Sequence, residues 1–247
     1  MLNERSKQVR RDLYKLSKAN GGYHYGGTFS TIEILTTLYD KVLTSEDRFI
    51  LSKGHACWGL YVLLREKGLR PTLEGHPHLD VANGIHWTTG SEGHGLPAGL
   101  GMAFAKKKLK KPGRVFVLMG DGECQEGTTW ESLLLAGKHK LNNLIVIVDN
   151  NKIQGSGLVD DILPINHIGD VAHLCHWDST YCDGHNVQVL ETIFNNMYSP
   201  RLSNNKPVMI VANTVKGKGV DFMEGKPEWH SKWPNAAEEA EILKQLS

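Results

Sequence analysis

The sequence predicts an α/β protein: a single doubly wound domain over residues 1–247, with a mainly parallel sheet flanked by helices. Three observations predict it. Arg114–Met119 and Leu144–Val148 are apolar runs without alternation, as strands buried on both faces require. A helical segment, Thr128–Lys140, lies between them, so the three form a strand–helix–strand crossover and the strands run parallel. A further apolar run, Pro207–Ala212, follows another helical segment, Asn186–Tyr198.

The remaining elements follow in chain order. Arg5–Ala19 is an amphipathic helix stopped by Asn20-Gly21-Gly22. Ser30-Thr31-Ile32-Glu33 has the pattern of a capping box, opening a helix whose apolar face holds Ile34, Leu35 and Leu38. Arg48–Ser52 reads as a short strand, and His55–Lys67 as the helix after it. Residues 68–95, rich in Gly, His and Pro, read as a long loop, a feature that is usually functional or disordered. Gly99–Lys111 is a helix ending in a basic run, Lys106-Lys107-Lys108, which suits a solvated face. Lys216–Trp233 is a loop, and Ala236–Leu246 is the last helix.

Composition excludes several functions. Lys plus Arg is 28 and Asp plus Glu is 27, so a net charge of +1 gives no electrostatic case for nucleic acid or an anionic membrane. No apolar run approaches the roughly 18 residues of a membrane helix, and the charged N-terminus has no signal core. A cytoplasmic protein is expected. The four cysteines, Cys57, Cys124, Cys175 and Cys182, show neither C-x-x-C nor metal-ligand spacing and are expected to be free thiols. Of the 12 histidines, His24, His55, His76, His78, His86 and His94 crowd into the first 94 residues.

Ligands of open parallel sheets bind beyond the carboxyl ends of the strands, and two turns there stand out. Gly120-Asp121-Gly122-Glu123 follows the first long strand and Asp149-Asn150-Asn151-Lys152-Ile153 the second, with 27 residues between Gly122 and Asn150. One crossover brings the two turns together. They offer a carboxylate, a carboxamide and loop carbonyls, hard oxygen ligands suited to Mg²⁺ or Ca²⁺. Gly120 and Gly122 allow a diphosphate near the backbone, where a helix start adds N–H donors. Neither G-x-G-x-x-G nor the P-loop pattern is present.

The G-D-G stretch followed by N-N after this interval resembles the thiamine-diphosphate signature, and the whole chain resembles the N-terminal half of transketolases. Leu51-Ser52-Lys53-Gly54-His55-Ala56, Gly75-His76-Pro77, Thr89-Gly90-Ser91-Glu92-Gly93-His94-Gly95, Gln125-Glu126-Gly127, Thr214-Val215-Lys216-Gly217 and Trp229-His230 carry the likeness. It implies thiamine diphosphate as cofactor, with Mg²⁺ (or Ca²⁺) held by Asp121, Asn151 and the Ile153 main-chain oxygen. Cofactor contacts are implied for His55, Ser91, Gly93, Gly120, Asp121, Gly122, Glu123, Asn151 and Glu131. His24, His76 and His230 are implied to face the sugar, and Glu126 and Glu131 to lie near a subunit interface, Glu126 taking part in catalysis.

The likeness covers the diphosphate-binding domain alone. It implies a second subunit carrying the pyrimidine-binding and C-terminal domains, a heterotetramer, and a sugar or sugar-phosphate substrate. The expected reaction is transfer of a two-carbon ketol unit from a ketose donor to an aldehyde. Acyloin formation, 2-oxo acid decarboxylation and a non-catalytic stabilising role stand as alternatives. Four positions depart from the family pattern: Tyr23 stands for Gly, Glu92 for Leu, and Ser231 and Trp233 interrupt W-H-G-K-A-P-N.

Overall fold

The computed structural model describes residues 2–196 and 205–247. The chain opens with α1 (Glu4–Ala19), capped by the Asn3 side chain, which accepts from the Ser6 N–H. Next come α2 (Tyr25–Phe29), α3 (Ile32–Thr37), β1 (Arg48–Leu51) and α4 (Cys57–Glu66). Then α5 (Gly95–Lys108) leads to β2 (Val115–Gly120), and α6 (Gly127–Lys138) to β3 (Leu144–Asn150). A small antiparallel hairpin, β4 (Ile153–Gln154) and β5 (Gly157–Leu158), precedes α7 (Val159–Ile162) and α8 (Ile168–Leu174). The chain continues with β6 (Asp178–Asp183), α9 (Val187–Asn196), β7 (Val208–Asn213) and α10 (Ala236–Gln245).

The main sheet runs β1-β2-β3-β7-β6, and every pairing is parallel. Helices cover both faces. Leu96, Ala103, Leu133, Ala136, Ile168 and Ala172 pack from α5, α6 and α8 onto one, while Leu13, Leu35, Leu60, Phe194 and Ile242 cover the other. The connections after β2 and β3 leave toward the first layer and those after β6 and β7 toward the second. The crevice between the carboxyl ends of β3 and β7 is therefore the switch point at which such sheets bind ligands.

The doubly wound, parallel reading is what the structure shows, and the details differ: the hairpin β4–β5, α7 and α8 are not read from the sequence, and α5 starts at Gly95 rather than Gly99. The edge strand β6 escaped the sequence pattern because an edge needs no continuous apolar run: Asp178, Ser179, Thr180, Tyr181 and Asp183 keep contact with solvent. Ser30 does not cap the start of α3, whose N-cap is Thr31 without a side-chain bond; it closes α2 instead. A short helix, α2, precedes it, and its hydroxyl lies 2.6 Å from the buried Asp149 carboxylate. The capping box sits instead at Asn235 and Glu238, opening α10. The last part of the expected Asn186–Tyr198 helix lies outside the described residues. Among those residues no helix is long and apolar enough to cross a membrane, and the four cysteines are unpaired.

Glu33, freed from capping, is fully enclosed. Arg10 holds it with two bonds of 2.6 and 2.9 Å, and His185 donates to it from Nδ1 at 2.8 Å while accepting the Val215 N–H on Nε2. Burial works to raise the Glu33 carboxyl, but Arg10 and His185 outweigh it and hold the group at about 2. A depressed folded-state value means the stabilisation is present above the ordinary carboxyl range, near 4.5, and is lost as pH falls through about 2. Arg10→Met strands a buried carboxylate, at a cost of about 3–5 kcal/mol, or roughly 6–20 °C in melting temperature at neutral pH. Thermal melts at pH 7 and pH 3 should show the gap between variant and parent narrowing in acid. An unchanged melting temperature at pH 7 would contradict this account of the network.

Candidate active site

At the switch-point crevice the two marked turns meet, because β2 and β3 pair in register up to Gly120 and Asp149. Asp121 follows β2 directly. One carboxylate oxygen accepts the Gly122 N–H at 2.8 Å and the other the Lys152 N–H at 2.5 Å. Lys152 adopts the left-handed region, φ 70°, unusual for a residue with a side chain. That bend turns the chain back so that Asn151 and Ile153 line the same cleft as Asp121. Gly122 lies close against Gln154, whose side chain would have to move to admit a Cβ there.

Asp149 is the hub behind these turns and has no solvent exposure. Its carboxylate accepts from Ser30, from the Asn151 amide at 3.0 Å, from Thr214 and from the Lys53 ammonium. Burial works to raise its carboxyl, yet the Lys53 charge, helped by the hydroxyl donors, keeps it below the ordinary range. Asp121, by contrast, is pushed up to about 6, by burial first and by the neighbouring Asp149 charge second.

Two buried ammonium groups face the same space. Besides Lys53, Lys216 reaches over from the loop after β7, donating to the Ile153 carbonyl at 3.0 Å and to His230 Nδ1 at 3.3 Å. Burial and the nearby Lys53 lower Lys216 to about 8. Neither lysine stands out in the sequence beyond its motif. Lys53 meets a carboxylate 96 residues away, and no local pattern signals such a pairing.

Three histidines close the other end. The rings of His24, His55 and His230 form a triangle with centroid separations of 5.0–5.4 Å. Gly26 allows this meeting of distant segments, because a Cβ there would lie 2.8 Å from the Trp229 carbonyl. His24 itself is left-handed at φ 65° and donates from Nδ1 to the His230 carbonyl. Burial, aided by crowding among cations and imidazoles, lowers His24 to about 4 and His230 to about 3. Both are neutral at pH 7. Tyr23 stacks on His24 and meets Trp233 at 5.7 Å, so two of the departures form an aromatic pair beside the triangle.

Other expected site residues stand further off. Glu123 is buried behind the cleft, accepting from Ser52 at 2.6 Å and from the Gly93 and Gly120 N–H groups at 2.8 Å. It shapes the cleft wall, and burial pushes it up to about 7. Gly93 is thereby tied to that wall, whereas Ser91 is exposed beside His94. His76 packs on Gly90, outside the triangle. Glu126 and Glu131 are exposed, at the start of α6 and within it, and are not brought into the cleft.

The donor set fits the cation and diphosphate implied by the resemblance. Among the described residues no three His, Cys, Asp or Glu side chains converge as a metal cluster. A carboxylate, a carboxamide and a carbonyl do line one cleft, as a hard ion needs, and Lys53 and Lys216 supply charge for an anion.

Comparison with known proteins bears on this site. Residues 10–246 match the family model of the transketolase thiamine diphosphate binding domain. An apulose-4-phosphate transketolase subunit of Actinobacillus succinogenes is 37% identical, over 99% of this chain and 95% of that protein. The 6-deoxy-6-sulfo-D-fructose transketolase subunit SqwG of Clostridium sp. is 33% identical, over 93% of this chain and 90% of that one. The crystal structure of transketolase from Campylobacter jejuni superposes with a TM-score of 0.84 at 25% identity, covering 98% of this chain and 42% of that one.

Proposed function

The chain belongs to the transketolase family, and from that premise we propose that it is the N-terminal subunit of a two-chain, thiamine-diphosphate-dependent enzyme transferring a two-carbon ketol unit from a ketose to an aldehyde. One observation carries the reading: three oxygen ligands, two buried ammonium groups and three histidines meet at one crevice.

In this reading Asp121, Asn151 and the Ile153 carbonyl would hold Mg²⁺ (or Ca²⁺), which would offset the charge of the diphosphate. The Ile153 carbonyl already accepts from a cationic group, the Lys216 ammonium. Asp149 orients Asn151 by accepting its amide, and the carboxamide oxygen, which accepts the Ile153 N–H at 3.1 Å, keeps its other lone pair for the cleft. Lys53 and Lys216 offset the anionic charge. Thiamine diphosphate, when bound, supplies the carbon nucleophile that no side chain of the protein offers.

The chain's own chemistry lies in the histidines. Being neutral, His24 and His230 bind sugar hydroxyls through hydrogen bonds and can take up and return a proton without first losing one. The Lys216 ammonium donates to His230 Nδ1, so the His230 proton sits on Nε2 and can donate to a sugar oxygen. His76 stands at the edge of this region, and Glu126 and Glu131 are assigned to a contact between subunits. The relatives named as subunits support a heteromer, and we assign a heterotetramer with the second subunit carrying the pyrimidine-binding domain. Unpaired cysteines suit a reducing compartment, the cytoplasm.

His24→Ala and His230→Ala should each lower kcat about ten- to a hundredfold, the equivalent of ~1.5–3 kcal/mol for a hydrogen bond to developing charge. Cofactor affinity should change little, because the interaction strengthens in the transition state. Steady-state kinetics and cofactor titration of each assembled variant test this. Wild-type kcat in both would remove the sugar-facing role.

A further inference from the structure

Glu92 occupies a position where the family resemblance leads one to expect an apolar residue, and neither the cation nor the sugar-facing histidines give it a role. Its carboxylate lines the cleft and lies 2.8 Å from Nδ1 of His55. The pair is local and specific. Among the described residues His55 is the one side-chain partner of the Glu92 carboxylate, and the Glu92 main-chain oxygen faces His94 instead.

The chemistry of the partners decides where the His55 proton sits. An ionised carboxylate only accepts, so Nδ1 must carry a hydrogen. His55 is nearly enclosed, at 12% side-chain exposure, whereas Glu92 is 40% exposed. Burial, the largest effect, lowers the imidazole, and together with Lys53 and Lys216 it outweighs Glu92, which works to raise the ring. Burial works to raise the Glu92 carboxyl, but His55 Nδ1–H outweighs it and holds the group at about 2. The neutral ring therefore keeps its single hydrogen on Nδ1, and Nε2 is a bare lone pair. Among the described residues Nε2 makes no hydrogen bond, and it is not sealed from solvent. It faces the Gly27 backbone, where a Cβ would stand 2.9 Å away, on a ring within 5.4 Å of His24 and 5.0 Å of His230.

We propose that Glu92 is a positioning residue that locks His55 with its proton on Nδ1, so that bare Nε2 accepts a hydroxyl hydrogen from a polyhydroxylated substrate at the histidine triangle. The locked ring complements its neighbour: His230 presents an N–H where His55 presents a lone pair. A substrate hydroxyl could then donate to one ring while a second oxygen accepts from the other. A free imidazole prefers its hydrogen on Nε2, so without Glu92 the ring would offer a donor where an acceptor is needed.

This inference rests on the ketol-transfer reading for its substrate, but its first test does not. Long-range ¹H–¹⁵N correlation spectra of the full chain, labelled at histidine and assigned with His55→Gln, report the tautomer without cofactor, sugar or partner. The parent should show His55 protonated on Nδ1. Glu92→Gln should keep that tautomer, because the carboxamide oxygen still accepts. Glu92→Leu should shift it toward the Nε2–H form. A parent with the proton on Nε2, or a leucine variant that keeps it on Nδ1, would overturn the proposal.

The second test uses the assembled enzyme. Glu92→Leu should lower kcat about tenfold with unchanged cofactor affinity, and Glu92→Gln should restore most of it. Full activity in the leucine variant despite a shifted tautomer would overturn the role of Nε2, leaving the ketol-transfer reading intact.

Discussion

Asp121→Ala is expected to abolish metal-dependent binding of thiamine diphosphate while leaving the fold in place. The carboxylate is the single charged oxygen in the proposed ligand set, so its loss should exceed the roughly 10–100-fold that removal of an outer-shell partner costs. The free protein should not suffer. Asp121 is 2% exposed, and its carboxyl is raised by burial and by the charge of Asp149. Removing it relieves a like-charge contact and gives up only the two backbone N–H groups of Gly122 and Lys152. Affinity and stability should therefore part company: no detectable heat on calorimetric titration of the assembled enzyme with thiamine diphosphate and Mg²⁺, and a melting temperature for the free chain close to the parent's. Unchanged affinity would remove Asp121 from the metal site. A collapsed melting temperature would mean that the residue is structural.

Much of this site was legible in the sequence because its parts are local. A turn of Gly120-Asp121-Gly122 after an apolar strand, and Asn150-Asn151 after the next, can be placed side by side from crossover geometry alone. The histidines could be suspected from their crowding, but their meeting depends on the approach of Gly26 to Trp229, and no spacing shows that. What stayed hidden is long-range pairing of buried charge. Asp149 read as part of a turn and is the hub of four segments. Glu33 read as a cap and is the partner of Arg10 and His185. Such groups carry no periodic signal, since a charge is buried only where another part of the chain supplies its counter-charge. The strand β6 was lost for the opposite reason, as an edge too polar to resemble the interior strands.

The larger expected effect concerns the partner, where the outcome is all or none. This chain spans 95% of a relative that is itself named as one subunit of a transketolase, and the crystallised transketolase it superposes on is more than twice as long. The crevice gathers the carboxylate, carboxamide, ammonium and imidazole groups that the proposal assigns to a cation, a diphosphate and hydroxyls. In the proposed assembly the remaining cofactor contacts come from the pyrimidine-binding domain of the second subunit. Helix α6 turns Trp130 and Leu134, 38% and 63% exposed and one helical turn apart, out to solvent near Glu131, which accords with a covered face in the assembly. The most direct measurement is a reconstitution assay: ketol transfer from a ketose to an aldehyde, with thiamine diphosphate and Mg²⁺, by this chain alone, by the isolated pyrimidine-binding chain, and by the two titrated together. The account predicts no turnover from either chain alone and activity that saturates at equal stoichiometry; turnover by this chain alone would contradict it.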